Sequence, residues 1–456
     1  MRKQLITIIS ILIGLVSFAQ SGHIMQGIGA VNMSMGGAAT AQPLDINGAI
    51  QWNPATLSSF EGKTLSLSVG AFFSSPELSS SFGPMNGTTI DEHSTSIMPA
   101  LAYVWSKPNS KHTFGVSAFG VSGFGVDFPA DMNYPQDMMG NPNMNYDPTL
   151  GSNPISFPQQ AGGFGNIKSD YMLLQVSLSY AYKLSNKVSI GLQPNFNYET
   201  LELAPNPTSA PNMMKGYPVT DAASAMGYGA QVGIFYDSHD MLKLGLSYKT
   251  KQHFSEYTFK NTYLDGSAAP DTNFTMNYPS ILSFGMGLSG KKLDFAADVR
   301  FVNYEGTEGF KESGWQINED TTSPYHGYPT GAVNGFGWRN MTIFSAGLQY
   351  KIMDNLPIRI GYTNNTNPIK DELAFYSVSA PAVVTQAAQI GLGYTIGKLQ
   401  IDALYHKGFR GDGNNGSMLS PRAYHPTNNP LGVVPGTSVS YDMETSMVQL
   451  TLSYKL

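Results

Sequence analysis

Four cations fall on the polar faces of alternating segments in this 456-residue chain: Lys243, Lys249, Arg300 and Arg359. A guanidinium pairs a carboxylate through a bidentate fork, so Arg300 and Arg359 are the first candidates for holding an anionic head group. Arg300 shares its face with Asp294 and Asp298, which makes an internal ion-pair network the competing role. Covalent chemistry has no comparable footing. The 8 His are scattered, with no HExxH or paired spacing, and point to no metal. Gly27-Ile28-Gly29 begins a GxGxxG pattern, but Asn32 stands at its last glycine and no strand–helix unit frames it. No signature singles out a nucleophile and its base. We expect no enzyme, no metal and no cofactor.

The cations need elements to carry them, and the sequence supplies strands. Charged residues are 13% of the chain, about half the usual quarter, while Gly (48) and aromatics (12%) run high. A formal charge of -6 gives no reason to invoke nucleic acid. Residues 1–20 carry Arg2 and Lys3, an apolar core from Leu5 to Val16 and a small-x-small site at Ser17-Phe18-Ala19. They read as a secretory signal peptide. The count of 0 Cys excludes a disulfide framework and a lipid anchor on cysteine. No later window has the 18 or so consecutive apolar residues of a spanning helix. If the exported chain spans a membrane, it does so with strands.

The strands alternate with period two. Leu65, Leu67, Val69, Ala71 and Phe73 oppose Thr64, Ser66, Ser68 and Gly70. Leu293, Phe295, Ala297, Val299 and Phe301 oppose Asp294, Asp298 and Arg300. Val448, Leu450, Leu452, Tyr454 and Leu456 oppose Gln449, Thr451, Ser453 and Lys455. About 14 such segments run from residue 63 to 456, an even number in the range of bacterial barrels. Their connections alternate strictly between short and long, as the two ends of an outer-membrane barrel do. The predicted fold class is all-β, a 14-stranded antiparallel transmembrane β-barrel over residues 63–456.

Between the signal and the first strand lies Ser34–Phe60, SMGGAATAQPLDINGAIQWNPATLSSF. It is too irregular for a strand or a long helix and cannot build its own core. We expect residues 21–62 to fold inside the barrel as a plug, with the Asn53-Pro54-Ala55 turn as its working part. Pro54 fixes φ and restricts that turn. One strand breaks phase: Phe114, Val116 and Ala118 share a face, and the pattern then slips to Phe119 and Val121 among Gly115, Gly120, Gly123 and Gly125. A slip of this kind needs a bulge, and glycines inside a strand mark one. It reads either as a packing irregularity or as a kink that opens a gap in the wall.

The Gly/Ala run at Met35–Ala39, Asp45 eight residues before Asn53, and Asn53-Pro54-Ala55 followed by Leu57 resemble the start of the long-chain fatty acid transporter (FadL/TodX) family of outer-membrane proteins. The segment at 278–288, the strand pair at 341–363 and the closing hairpins are similar as well. The chain departs from the usual pattern at its end, where Tyr454-Lys455-Leu456 stands in place of a terminal Phe. The resemblance implies a 14-strand barrel with a luminal hatch and passive uptake of hydrophobic compounds. Asn53, Pro54 and Ala55, with Asp45, become the gating residues. Ala118, Phe119, Gly120 and Gly123 mark the kinked third strand from which ligand leaves sideways.

On that reading long-chain fatty acids are the first expected ligand, with aromatic hydrocarbons on the same scaffold as the alternative. A non-specific or structural outer-membrane barrel is the rival, but a bare barrel has no use for a plug. Capture by burial contributes roughly 0.8 kcal/mol per CH₂. Within loop 125–168 the candidates are Phe128, Met132, Met138 and Met139, since methionine adapts to varied shapes. Arg300 and Arg359 remain the head-group candidates. The expected partners are a hydrophobic small molecule, outer-membrane lipid and, during biogenesis, the barrel assembly machinery. We expect a monomer in the outer membrane.

Overall fold

A computed structural model describes residues 22–93, 95–411 and 413–456; the expected signal peptide lies outside them. Fourteen antiparallel strands close on themselves. They are β1 (Gly62–Phe82), β2 (Ser96–Ser106), β3 (His112–Phe128), β4 (Ile167–Lys183), β5 (Val188–Ala204), β6 (Ala223–Asp237) and β7 (Leu242–Lys249). Then follow β8 (Ser280–Ser289), β9 (Leu293–Asn303), β10 (Met341–Met353), β11 (Leu356–Asn365), β12 (Gln386–Ile396), β13 (Leu399–Gly411) and β14 (Thr437–Lys455). Each pairs with its neighbour in sequence. The ring closes where β14 meets β1, in register from Thr64 opposite Lys455 to Phe82 opposite Thr437. Closure at this seam pairs the two end strands, as a membrane requires.

The alternation explains which way each side chain points. On β14, Val448, Leu450 and Leu452 are exposed outward, while Gln449 and Thr451 are buried inward. The inside is the polar side, as in membrane barrels. Near the short turns Tyr103, Trp105, Phe114 and Tyr180 form an outward ring cluster, with centroids 5.2–5.6 Å apart. Such a belt suits the bilayer interface.

Two strands are longer than the sequence suggests. Alternation in the sequence predicts β1 over 63–74 and β14 over 443–456, yet they stay paired out to Phe82 and Thr437. Beyond the membrane the Ser-rich stretch Glu77–Phe82 also folds back on Met85–Ile90. Arg410 ties the extension together, bonding Glu77 at 2.8 Å and Asp442 at 3.0 Å.

Residues 22–60 lie inside the ring. They form α1 (Gly29–Ser34), α2 (Ile46–Trp52) and a 3₁₀ turn, Pro54–Ser59. From Gly22 to Ser58 only Pro43 and Leu44 are not fully buried. The helices are too short to persist alone, and the wall completes their hydrogen bonding. Ala30 N–H donates to Thr451 Oγ1 on β14 (2.8 Å) and Asn47 to Ser66 Oγ on β1 (2.9 Å). On the opposite side Thr363 Oγ1 of β11 donates to Gly36 O (2.9 Å).

Candidate functional site

The Asn53-Pro54-Ala55 turn is built by one side chain. Asn53 Oδ1 accepts from Ala55 N–H (3.0 Å), capping the 3₁₀ turn that Pro54 opens. Asn53 Nδ2 donates to Thr40 O within the segment (2.8 Å) and to Ile234 O on β6 (3.1 Å). The wall makes room for it with inward glycines. A Cβ at Gly233 would stand 1.9 Å from Asn53 Oδ1, and one at Gly191 would stand 2.3 Å from Ala55 N. Gly191 and Gly233 face each other across β5 and β6. The same device recurs around the ring. Gly245 and Gly285 receive the Thr40–Ala41 backbone, and Gly347 and Gly361 receive Met35 and Gly36. These cross-strand glycine pairs form a girdle in the half of the barrel nearer the short turns. Sequence reading missed them; their signal was glycine at positions of the polar face, opposite glycine on the next strand.

Asp298 on β9 is the girdle's anchor. Its Oδ2 accepts from Ala39 N (2.9 Å), Thr40 N (3.0 Å), Thr40 Oγ1 (2.8 Å) and Arg300 Nη2 (2.5 Å). Arg300 also donates to Gly37 O (2.6 Å) and stacks over Trp52, 3.7 Å from the ring centroid. Arg359 pairs with Asp402 at 2.8 Å and donates to Gln349. Both arginines are thus committed to the wall and the segment. Lys243 donates to Ser289 Oγ (3.0 Å). Lys249 differs: it is buried, its ammonium has no hydrogen-bond partner among the described residues, and it sits 5.9 Å from the Tyr278 ring centroid. Asp45 caps α2 through Gly48 N–H (3.2 Å), and burial pushes its carboxyl up to about 7.

The phase slip in β3 is a bulge between Gly120 and Ser122 in the pairing with β4. On the other edge the wall opens. Pairing of β2 with β3 stops at Ala100 opposite Phe119, although β2 continues to Ser96 and β3 to Phe128. Ser96–Pro99 stay with β1, and Ser122–Phe128 stay with β4. Pro99, which has no N–H for a ladder, stands where the strands part. Glu92 N–H donates to Asp127 O (2.8 Å) and rejoins the two sides above the gap.

The open edge of β3 is covered from inside. Met25 N–H donates to Val121 O (3.1 Å), Gly123 N–H to His23 O (3.3 Å) and Ser122 Oγ to His23 O (2.7 Å). A cavity of ≈ 190 Å³ lies at this place. Its lining runs from His23, Tyr171 and Trp338 inside to Ile97 (57% exposed) and Met172 (46% exposed) on the lipid side. Gly120 and Gly123 therefore lie along the gap's edge, while Ala118 and Phe119 are the last residues of β3 still paired with β2.

The predicted capture residues lie elsewhere. Phe128 is wholly buried at the end of β3, whereas Met132, Met138 and Met139 are exposed on the outer loop, Met139 at 89%. None of the four lines the cavity. His23, which sequence reading passed over, does. Its ring is buried among aromatic side chains, and burial lowers its pKa to about 3.

A family model described as "Outer membrane protein transport protein (OMPP1/FadL/TodX)" matches residues 156–415, more than half of the chain. No curated protein matches it. Among solved structures the Pseudomonas putida toluene transporter TodX is similar at a TM-score of 0.65 and 17% identity, covering 94% of this chain and 99% of that one. A Pseudomonas aeruginosa FadL homologue is similar at 0.68 and 13% identity, covering 95% and 100%. The Ralstonia pickettii toluene transporter TbuX is similar at 0.58 and 18%, covering 93% and 98%. At these identities the likeness is one of fold.

Proposed function

This chain belongs to the OMPP1/FadL/TodX family of outer membrane transport proteins, and on that premise we propose that it takes up small hydrophobic compounds passively and releases them sideways between β2 and β3. The observation that carries the reading is the wall gap, closed from within by residues 23–25 and backed by a cavity that reaches the lipid side. A hydrophobic solute gains nothing in a water-filled pore; burial against the ring and methionine side chains of a cavity that opens into lipid spares it the aqueous step. The hatch, residues 22–60, blocks the lumen and is held by the glycine girdle and Asp298. A shift of the hatch would join the outer capture site to the gap.

Aromatic hydrocarbons fit this route best. The cavity's inner lining is ring-rich, two similar solved structures are of toluene transporters, and both arginines proposed for a carboxylate are already paired. One observation favours the second reading, long-chain fatty acids: the Lys249 ammonium is buried without a hydrogen-bond partner among the described residues. A carboxylate would satisfy it.

Uptake of labelled toluene and labelled oleate separates the readings. Cells carrying the chain are expected to take up toluene, and a version lacking Asn53–Ala55 at equal outer-membrane level is expected to lose that uptake. Oleate uptake that falls about tenfold in Lys249→Met would instead establish the fatty-acid reading. Uptake of neither ligand above cells lacking the chain overturns both.

A further inference from the structure

The lipid-facing side of the wall has a groove that the transport route does not use. Its volume is ≈ 250 Å³. Trp105, Phe114 and Tyr180 line it at one level of the wall, paired in that order across β2, β3 and β4. Val116, Leu178 and Pro194 line it one level further into the membrane. These side chains point away from the lumen, since their strand neighbours Ser117, Ser179 and Gln193 are the buried ones. Valine and proline are short beside a row of three rings, so the wall is recessed there. The rings belong to the interfacial belt, which sets the groove at the edge of the bilayer and not at its centre.

The short turns beside the groove are basic. Residues 106–112 and 183–188 hold Lys107, Lys111, His112, Lys183 and Lys187, and no Asp or Glu. The two turns touch: Lys183 N–H donates to Lys111 O (2.9 Å). Among the described residues none of these lysines is in an ion pair. The next turn brings Asp237 and Asp240, but the Asp237 carboxylate accepts from His239 N–H (2.8 Å). The far end of β3 and β4 has the opposite sign. Residues 129–166 hold Asp131, Asp137 and Asp147, and no Lys or Arg. His112 joins the charge to the groove, with Nδ1 bonded to Tyr180 OH at 2.8 Å. Lys111 and Phe114 are roughly 10 Å apart along the strand, so a phosphate at the turn and a chain in the groove can belong to one molecule.

We propose that this corner of the barrel, β2 to β5 at the short-turn end, is a binding site for an anionic phospholipid of the periplasmic leaflet. One acyl chain lies in the groove, and the phosphate meets Lys107, Lys111, Lys183 and Lys187. Charge complementarity decides the class. Unpaired lysines at a membrane surface favour lipids of net negative charge, whereas a zwitterionic head group brings its own cation. A soluble anion has no use for the groove. Within lipid a chain gains packing and not hydrophobic free energy, so the groove supplies fit and the lysines supply preference. The site stands whether or not ligand leaves between β2 and β3.

The test is native mass spectrometry of the purified full-length barrel in detergent, titrated with phosphatidylglycerol and with phosphatidylcholine of the same chains. Wild type is expected to hold phosphatidylglycerol about tenfold more tightly. Lys111→Gln with Lys183→Gln is expected to abolish that preference and leave phosphatidylcholine binding unchanged. Val116→Trp, which fills the groove, is expected to weaken both lipids about threefold and keep the preference. Lys291→Gln with Lys292→Gln, on another basic turn, is expected to change neither. None of the substituted side chains is buried, and heat-modifiable electrophoretic mobility checks that each barrel is folded. Equal affinity of wild type for the two lipids overturns the ligand class. A loss of preference as large in the Lys291 and Lys292 variant overturns the site and leaves only charge spread round the rim. Lipid binding unmoved by Val116→Trp overturns the docking of a chain in the groove. A preference that survives loss of Lys111 and Lys183 overturns the head-group assignment and returns these cations to a soluble acidic partner.

Discussion

Gly233→Val is expected to lift the Asn53-Pro54-Ala55 turn off the wall and turn a blocked barrel into a conducting one. The first added carbon would stand 1.9 Å from Asn53 Oδ1 and 3.4 Å from Pro54 Cδ. Valine presses on the Asn53 side chain, which cannot yield without giving up its bonds to Ala55 N–H, Thr40 O and Ile234 O, and on the Pro54 ring. The ladder of β6 does not need the glycine: φ is negative there and valine suits a strand. The strain therefore falls on docking and not on the barrel. Overpacking costs about 1–3 kcal/mol, which raises the undocked population roughly 5- to 150-fold. Single-channel conductance in planar bilayers reads this directly. Gly151→Ala, where an added Cβ would meet nothing nearer than 3.5 Å, controls for the loss of a glycine that has room for a side chain. Conductance that stays at the wild-type level in a folded Gly233→Val barrel would mean that the turn is not what seals this side.

Asp298→Ala is expected to act more strongly, because one carboxylate holds both partners of the contact. It takes two backbone N–H groups and a hydroxyl from Ala39 and Thr40, and it neutralises Arg300. Without it the guanidinium, 1% exposed, keeps Gly37 O and Ser345 Oγ as its acceptors among the described residues. Removing one member of a buried ion pair costs about 3–5 kcal/mol, mostly from the charge left behind. Barrel closure through β14 and β1 is remote from this loss, so the hatch is expected to come free while the wall stays folded. Protease sensitivity of residues 22–60, with the barrel core resistant, would show this. Asp298→Leu with Arg300→Leu removes both charges and is expected to be milder than Asp298→Ala alone. A hatch as protected in Asp298→Ala as in wild type would contradict the anchoring role.

The wall was legible because lipid rewards a pattern every second residue can report. Leu65 through Phe73 and Val448 through Leu456 read outward from sequence alone. The slip between Ala118 and Phe119 was visible for the same reason, and the bulge lies two residues on, at Val121. What the period does not carry is what the inner face meets. Gly233 and Gly361 look like gaps in a polar face until the turn and Met35–Gly36 are set against them. Arg300 showed its partner because Asp298 is two residues away on the same face; Arg359 did not, since Asp402 is 43 residues on. His23 carries no motif, and its hydrogen-bond partner Tyr304 is 281 positions away. The loop candidates Met132, Met138 and Met139 stand exposed, Met139 at 89%, and the cavity draws instead on Met98, Met172 and Met443.

The central claim is that hydrophobic ligand leaves through the side of the barrel between β2 and β3. The chain has 0 Cys, so a pair can be placed without background. Met98→Cys with Gly123→Cys puts thiols on the two sides of the gap, where the Met98 methyl now stands 3.6 Å from a Cβ built on Gly123. A short, reducible bis-thiol reagent then ties the gap shut in intact cells. Labelled toluene uptake is expected to stop on cross-linking and to return on reduction, with the barrel folded throughout. Uptake that continues unchanged through a cross-linked gap would contradict lateral release and send the route down the lumen past the hatch.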